Sequence, residues 1–408
     1  MKTFWTVLLC YAWLCAGLFT PALVRAQVAP PADAVPFEVL ATQGGQLTAT
    51  ALSAPVLPSA YRTSAELGEV TGLRLAGQRL YASNARAVQI LDVSQPLTPT
   101  LQSQILVDRL NRLLAVGDWL YLLDGTTLRI IDLTQPTSPI ERTTITAVHD
   151  VQVEGGLAYL FSDGALRIYS VAKPANPELL GQVAVPAVLS GNTIGVWVAG
   201  DRAYVGHFGN ASCELICGAR QMQLSVVSIA DPSHPQLRGE RSVWTSASHN
   251  DPLAIVGTTI YLPVAPTLID ASDPDHPVER SAPALLNALA LRVKGTHAYA
   301  VTSQVLRTLD LTDPLNPRVL GELPLASVQP SLALSAGRLF LAGEGLRVFD
   351  LSDPASPQLR ATYAGPVVDL VVDRQYVYMA LGSGGIRILR LDPAVFPLPV
   401  YLPQVRRA

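Results

Sequence analysis

The chain has 408 residues, 49% hydrophobic and 15% charged, with 29 Lys and Arg against 32 Asp and Glu. This composition excludes a disordered chain, and the slight acidic surplus argues against a general nucleic-acid binder. Thirty-two Pro and 29 Gly point to many tight turns rather than long helices.

Lys2, an apolar run over 4–23 and then Val24-Arg25-Ala26 read as a secretory leader, with cleavage expected after Ala26. The alternative is an uncleaved anchor, since the run nearly spans a bilayer; Pro21 and the small residue before the cut favour cleavage. A lipoprotein is not expected, because Leu14 stands before Cys15 where a small residue is needed. The mature protein is therefore expected to be secreted or held at the cell surface, with no transmembrane span. Export leaves Cys213 and Cys217, which in an oxidising compartment are expected to form a disulfide. A structural zinc site would need four ligands, and no second Cys or His pair lies nearby. Residues 27–60 form a Pro/Ala/Thr-rich extension, with one strand expected over 36–40.

From Tyr61 to residue 397 the chain is periodic. Short apolar runs end in a marker residue, at Asp92, Asp132, Ser170, Ser228, Asp270, Asp310, Asp350 and Arg390. The interval is about 40 residues, the length of a propeller blade. Within 70–106, strand A is expected at 70–75, B at 79–83, C at 88–93 and D at 101–106, all short apolar runs bounded by Gly, Asn or Pro. Strand B repeats an aromatic at Tyr81, Tyr121, Tyr159, Tyr204, Tyr261, Tyr299, Phe340 and Tyr378, read as packing between neighbouring blades. After the marker come prolines four and seven residues on, as in Asp132/Pro136/Pro139, Asp270/Pro274/Pro277, Asp310/Pro314/Pro317 and Asp350/Pro354/Pro357. An Asp here can accept the N–H two residues on, and Pro fixes φ in the turn. Asp92, Asp132, Asp270, Asp310 and Asp350 are thus assigned as turn caps. Acid pairs such as Asp310/Asp313 lack the EF-hand spacing and its distal Glu, so calcium is not inferred.

The runs QILD, LRIID, LSVVS and LRVFD, followed by the DxSxPxxP turn, resemble the LVIVD-repeat family of exported bacterial and archaeal β-propellers. The resemblance spans about 61–397. It implies an all-β propeller, usually surface-associated, and no established catalytic residues. Eight four-stranded blades are expected, with seven as the alternative. The last unit stops after strand C, and 61–68 resembles a lone strand D that would close the ring. Residues 398–408 are read as a tail.

Function concentrates on loops held by a rigid scaffold. The candidate binding mouth therefore comprises the loop residues between strands D and A: Asp108, Asn111, Arg112, His149, Asp150, Asn192, His249, Asn250, Asp251, Asn287, Gln329 and Asp369. His149, Asp150, His249 and Asp251 could ligate a metal, but capping of strand A is the preferred reading. The long interval between Ser170 and Ser228 places an insertion at 206–222 carrying Cys213 and Cys217. It is either a recognition loop or a tolerated insertion.

No phosphate loop, G-x-S-x-G, H-E-x-x-H or basic cluster is present. No cofactor is expected and no catalytic residue is assigned. The expectation is a monomeric binding or scaffold module for a protein or carbohydrate at the cell surface. Two alternatives stand beside it: an exported metal-dependent hydrolase or lyase using the mouth His and Asp residues, and a structural envelope component.

Overall fold

In the computed structural model, the residues described are 38–43, 46–49, 61–62, 68–186, 193–208, 220–245, 253–262, 266–325, 331–374 and 376–391. The expected leader, most of the 27–60 extension, the Cys213/Cys217 pair and the tail lie outside them. The rest form eight antiparallel four-stranded sheets in chain order. Blades 1 to 8 cover 72–106, 110–145, 148–184, 193–245, 254–281, 290–324, 331–364 and 369–390. Blade 8 takes its fourth strand from Tyr61–Arg62, which pairs with Ile386–Arg390. The ring is thus closed by an N-terminal strand, and the blade number is eight. Among the described residues there is no α-helix, only a 3-10 turn at Pro283–Leu285.

Blade 1 shows why these residues become strands. Gly72–Ala76, Arg79–Ser83, Ala87–Asp92 and Thr100–Leu106 are strands A to D, within about two residues of the sequence expectation. Gly77 turns A into B at φ +58°, a left-handed conformation that glycine adopts without strain. The A strands of successive blades lie side by side around the axis, and the strand Asp369–Asp373 of blade 8 meets Gly72–Ala76 of blade 1. A further hairpin, Glu38–Gln43 with Gln46–Ala49, adds to the outer edge of blade 7 at Gln358–Ala364. It is longer than the single strand expected over 36–40.

The core is divided among the seams. Eight apolar clusters each join one blade to the next, from blades 1 and 2 around to blades 8 and 1. The strand B aromatic sits in each seam, facing the following blade, and all eight are buried. Burying one such ring stabilises by about 1.5–3 kcal/mol, so this rank is a large part of what holds blades together.

Burial also pushes the phenol of Tyr121 up to about 12, and that of Tyr378 likewise, because the ionised form would lack solvent. A phenol raised on folding stabilises fully below its unfolded pKa of about 10 and loses that contribution as pH rises through about 12. Absorbance titration at 295 nm should show a class of Tyr that ionises only with unfolding near pH 12. Complete ionisation by pH 11 with the β-sheet circular dichroism intact would refute the assignment.

The Pro turn is built by its Asp. Ser94, Thr134, Ser272, Thr312 and Ser352 donate their backbone N–H to Asp92, Asp132, Asp270, Asp310 and Asp350 at 2.7–3.0 Å. The second oxygen takes an Arg from strand D: Arg142 at 2.7 Å from Asp132, Arg280 at 2.8 Å from Asp270 and Arg360 at 3.3 Å from Asp350. The Thr134 N–H, then Arg142, hold the Asp132 carboxyl down to about 2. The second acid of the turn caps as well: Asp313 accepts from Leu315 N and Asp353 from Ala355 N, both at 3.0 Å.

These turns also lock one blade to its neighbour, a role the sequence does not announce. Strands C and D pair with a one-residue bulge in blades 1, 2, 3, 4, 6 and 7. In blades 1, 3, 4 and 6 the small strand D residue just after the bulge receives the Pro turn of the next blade. A Cβ on Gly239 would lie 2.5 Å from the carbonyl oxygens of Pro274 and Asp275, and one on Gly181 2.6 Å from those of Pro232 and Ser233. Gly321 meets Ala355 in the same way. In blade 1 the residue is Ser103, whose Oγ donates to Pro136 O at 2.6 Å.

Candidate functional site

Side chains alternate across a strand, so every second residue of each A strand faces the axis. Strand register places Gly72, Arg112, Asp150, Gly195, Ala290, Ser331 and Asp369 at one level. Two residues further along stand Arg74, Leu114, Gln152, Trp197, Ala254, Arg292, Ala333 and Val371.

At the first level two aspartates tie three blades each. Asp150 is 3% exposed. Arg112 of blade 2 donates Nη1 to both of its oxygens, at 3.0 and 3.2 Å, and Val196 of blade 4 donates its backbone N–H at 2.7 Å. Burial raises the Asp150 carboxyl, opposed by the Arg112 charge and then by the N–H groups of Val196 and Val151. Asp369 of blade 8 repeats the arrangement three blades away around the closed ring. It accepts from Leu73 N of blade 1 at 2.9 Å, Ser331 Oγ of blade 7 at 2.8 Å and its neighbour Leu370 N at 2.9 Å, and lies 3.5 Å from Arg74.

Next to these clasps lies a cavity of about 790 Å³, at the end of the ring where strand B passes to C and D to A. Arg74, Arg112, Arg292 and Asp369 bring the charges to its wall, and Gln152 and Trp197 complete it. Asn84 and Asn111 also line it, but their amides are engaged with Glu69 O and Gly125 O. The Trp197 indole lies over Gly195, where any side chain would collide with it. Arg112 is neutralised by Asp150. Arg292 has no carboxylate within ion-pair distance among the described residues; burial and then the Arg74 charge lower its pKa, against the pull of Asp369.

Of the mouth residues expected from sequence, Asn111, Arg112 and Asp369 line this cavity, and Asp150 stands behind it holding Arg112. Asp108 is exposed in a loop pinned by Asp124, which accepts the backbone N–H of Asp108 and Arg109 at 2.9 and 2.8 Å. Asn287 is exposed at φ +60°. His149 stacks obliquely near Phe161, with ring centroids 6.2 Å apart. Asn192, His249, Asn250, Asp251 and Gln329 fall outside the described residues, as does most of the 206–222 insertion. Among the described residues no cluster of three or more His, Cys, Asp or Glu could hold a metal.

Sequence reasoning missed Arg74, Gln152, Trp197 and Arg292, which share one repeat position in the middle of strand A. It also missed His207, which is 1% exposed, with both ring nitrogens unpartnered among the described residues and an edge contact to Phe161 at 5.0 Å. Burial lowers its pKa.

Residues 111–147, 190–211 and 330–365 match the LVIVD repeat. The first and last segments run from strand A to strand D of blades 2 and 7. Among solved structures, the computationally designed Ika8 protein superposes with TM-score 0.57 at 12% identity, over 79% of this chain and 96% of that one. BamB from Moraxella catarrhalis gives 0.53 at 9% identity, over 79% and 94%. At these identities the likeness is one of fold. No curated protein matches the chain. No helix among the described residues is long and apolar enough to cross a membrane. The chain is an eight-bladed β-propeller carrying LVIVD repeats, matched at three segments.

Proposed function

We propose that the protein is an exported binding module that holds a small ligand in its central cavity. One observation carries this reading. The positions that build the ring are nearly the same in every blade, down to the strand B aromatic, whereas this strand A position differs from blade to blade, and the five copies that line the cavity are Arg74, Leu114, Gln152, Trp197 and Arg292. A lining that served only to fill the axis would have no reason to place two arginines, a glutamine and an indole there. A volume of about 790 Å³ is within the range of small-molecule sites. Export rests on the leader expected over 1–26, and the Cys213–Cys217 disulfide on that export. Intact mass of the unreduced secreted protein reads both, as a mature chain beginning at Gln27 with no alkylatable thiol.

The binding reading is tested by a small-molecule thermal-shift screen on the purified protein and on Gln152→Trp, which fills the cavity. Compounds that raise the melting temperature of the wild type and not of the variant are expected. Compounds that stabilise both equally would place binding elsewhere and refute the cavity.

A further inference from the structure

The charges in the cavity narrow the ligand. Arg74 of blade 1 and Arg292 of blade 6 occupy the same repeat position and adopt the same pose. Each gives one Nη1 N–H to the carbonyl of the residue before it, Leu73 at 2.6 Å and Leu291 at 3.0 Å. A guanidinium has five N–H donors in a fixed fork. Most of those donors are therefore left over on both arginines among the described residues. Asp369 takes up part of the Arg74 charge at 3.5 Å, but its oxygens are already engaged by Leu73 N, Leu370 N and Ser331 Oγ. Arg112 and Asp150 cancel. Among the described residues the cavity thus keeps an unbalanced positive charge inside a chain that is net acidic. Beside it stand the flat indole of Trp197 and the Gln152 amide, which makes no hydrogen bond among the described residues.

We propose that the cavity binds small ring-bearing carboxylates, with the carboxylate between the Arg74 and Arg292 forks and the ring against Trp197. The inference rests on the cavity being a ligand site and adds the ligand's class. A carboxylate matches the guanidinium fork through two parallel charge-assisted hydrogen bonds. It also relieves the repulsion between Arg74 and Arg292. An indole face takes an apolar or sugar ring, and the free Gln152 amide can bond a ring substituent.

Calorimetric titration at low salt tests this with D-glucuronate and benzoate, each against its neutral amide, and with acetate as the ringless acid. The acids are expected to bind more tightly than their amides by about tenfold or more, the weight of one charge-assisted hydrogen bond. Acetate is expected to be weaker than either ring-bearing acid. Arg292→Gln should abolish the preference for acid over amide while the melting temperature holds or rises. Arg74→Gln, at a more exposed side chain, gives the same readout if the first variant folds poorly. Equal binding of acids and amides overturns the charge assignment, and acetate binding as tightly as benzoate overturns the role of the ring. If none of these probes binds while neutral compounds from the screen occupy the cavity, the inference falls and the binding reading stands. If the screen also finds nothing that Gln152→Trp excludes, both fall.

Discussion

Asp150→Ala is expected to destabilise the protein by about 3–5 kcal/mol, the cost of removing one partner of a buried ion pair. The loss has two parts. Arg112 is left with an uncompensated charge, and the Val196 N–H, which reaches the carboxylate at 2.7 Å, loses its acceptor. Both partners lie in neighbouring blades, so the substitution opens two seams at once. Denaturant unfolding of Asp150→Ala, Arg112→Ala and the double variant measures the pair, and the double variant should cost clearly less than the sum of the singles. Arg112→Met with Asp150→Leu should recover the part of the loss that comes from the unpaired charge, because both charges are replaced by apolar groups, while the Val196 N–H still lacks its acceptor. Additive single effects would mean that the two side chains do not depend on each other.

The second large effect is steric. Gly239→Val should cost about 3 kcal/mol or more, at the upper end of overpacking, because the atoms it meets are backbone. The carbonyl oxygens of Pro274 and Asp275 cannot rotate away as a side chain could, so either the blade 5 turn lifts off blade 4 or the bulge of blade 4 rearranges. Arg238→Ala is the matched control. Arg238 pairs with Asp275 at 2.7 Å in the same contact, but both groups are exposed, and solvent screening leaves such a pair a small contribution. If Arg238→Ala costs as much as Gly239→Val, the turn is held by charge rather than by fit.

The architecture was legible because its determinants are local and repeated. The Asp and the two prolines make a turn that needs only its own residues, so each copy can be recognised alone and the copies counted. The strand B aromatic repeats for a related reason, since every seam asks for the same filling. Ring closure was readable from a missing strand D at one end and a spare one at the other, and Tyr61–Arg62 supplies it.

The cavity was hidden for the opposite reason. Its residues occupy the same repeat position in each blade but differ in type, so periodicity treats them as noise. Trp197 is out of step with Trp119 and Trp244, yet it stands at the strand A position of Arg74 and Arg292. Attention to loops also drew in Asp108 and Asn287, which do not line the cavity. The role of Asp150 was beyond sequence for another reason: its partners Arg112 and Val196 are brought to it only by the stacking of three blades. The docking of Pro turns onto Gly181, Gly239 and Gly321 likewise involves residues about 35–50 positions apart, with no motif linking them.

A repeated scaffold carrying one unrepeated site is most directly tested by a crystal structure of the protein grown with D-glucuronate. The account predicts the sugar in the central cavity, its carboxylate within hydrogen-bond distance of both Arg74 and Arg292 and its ring against Trp197. A glucuronate bound only outside the ring, or a cavity left without it at a saturating concentration, would contradict it.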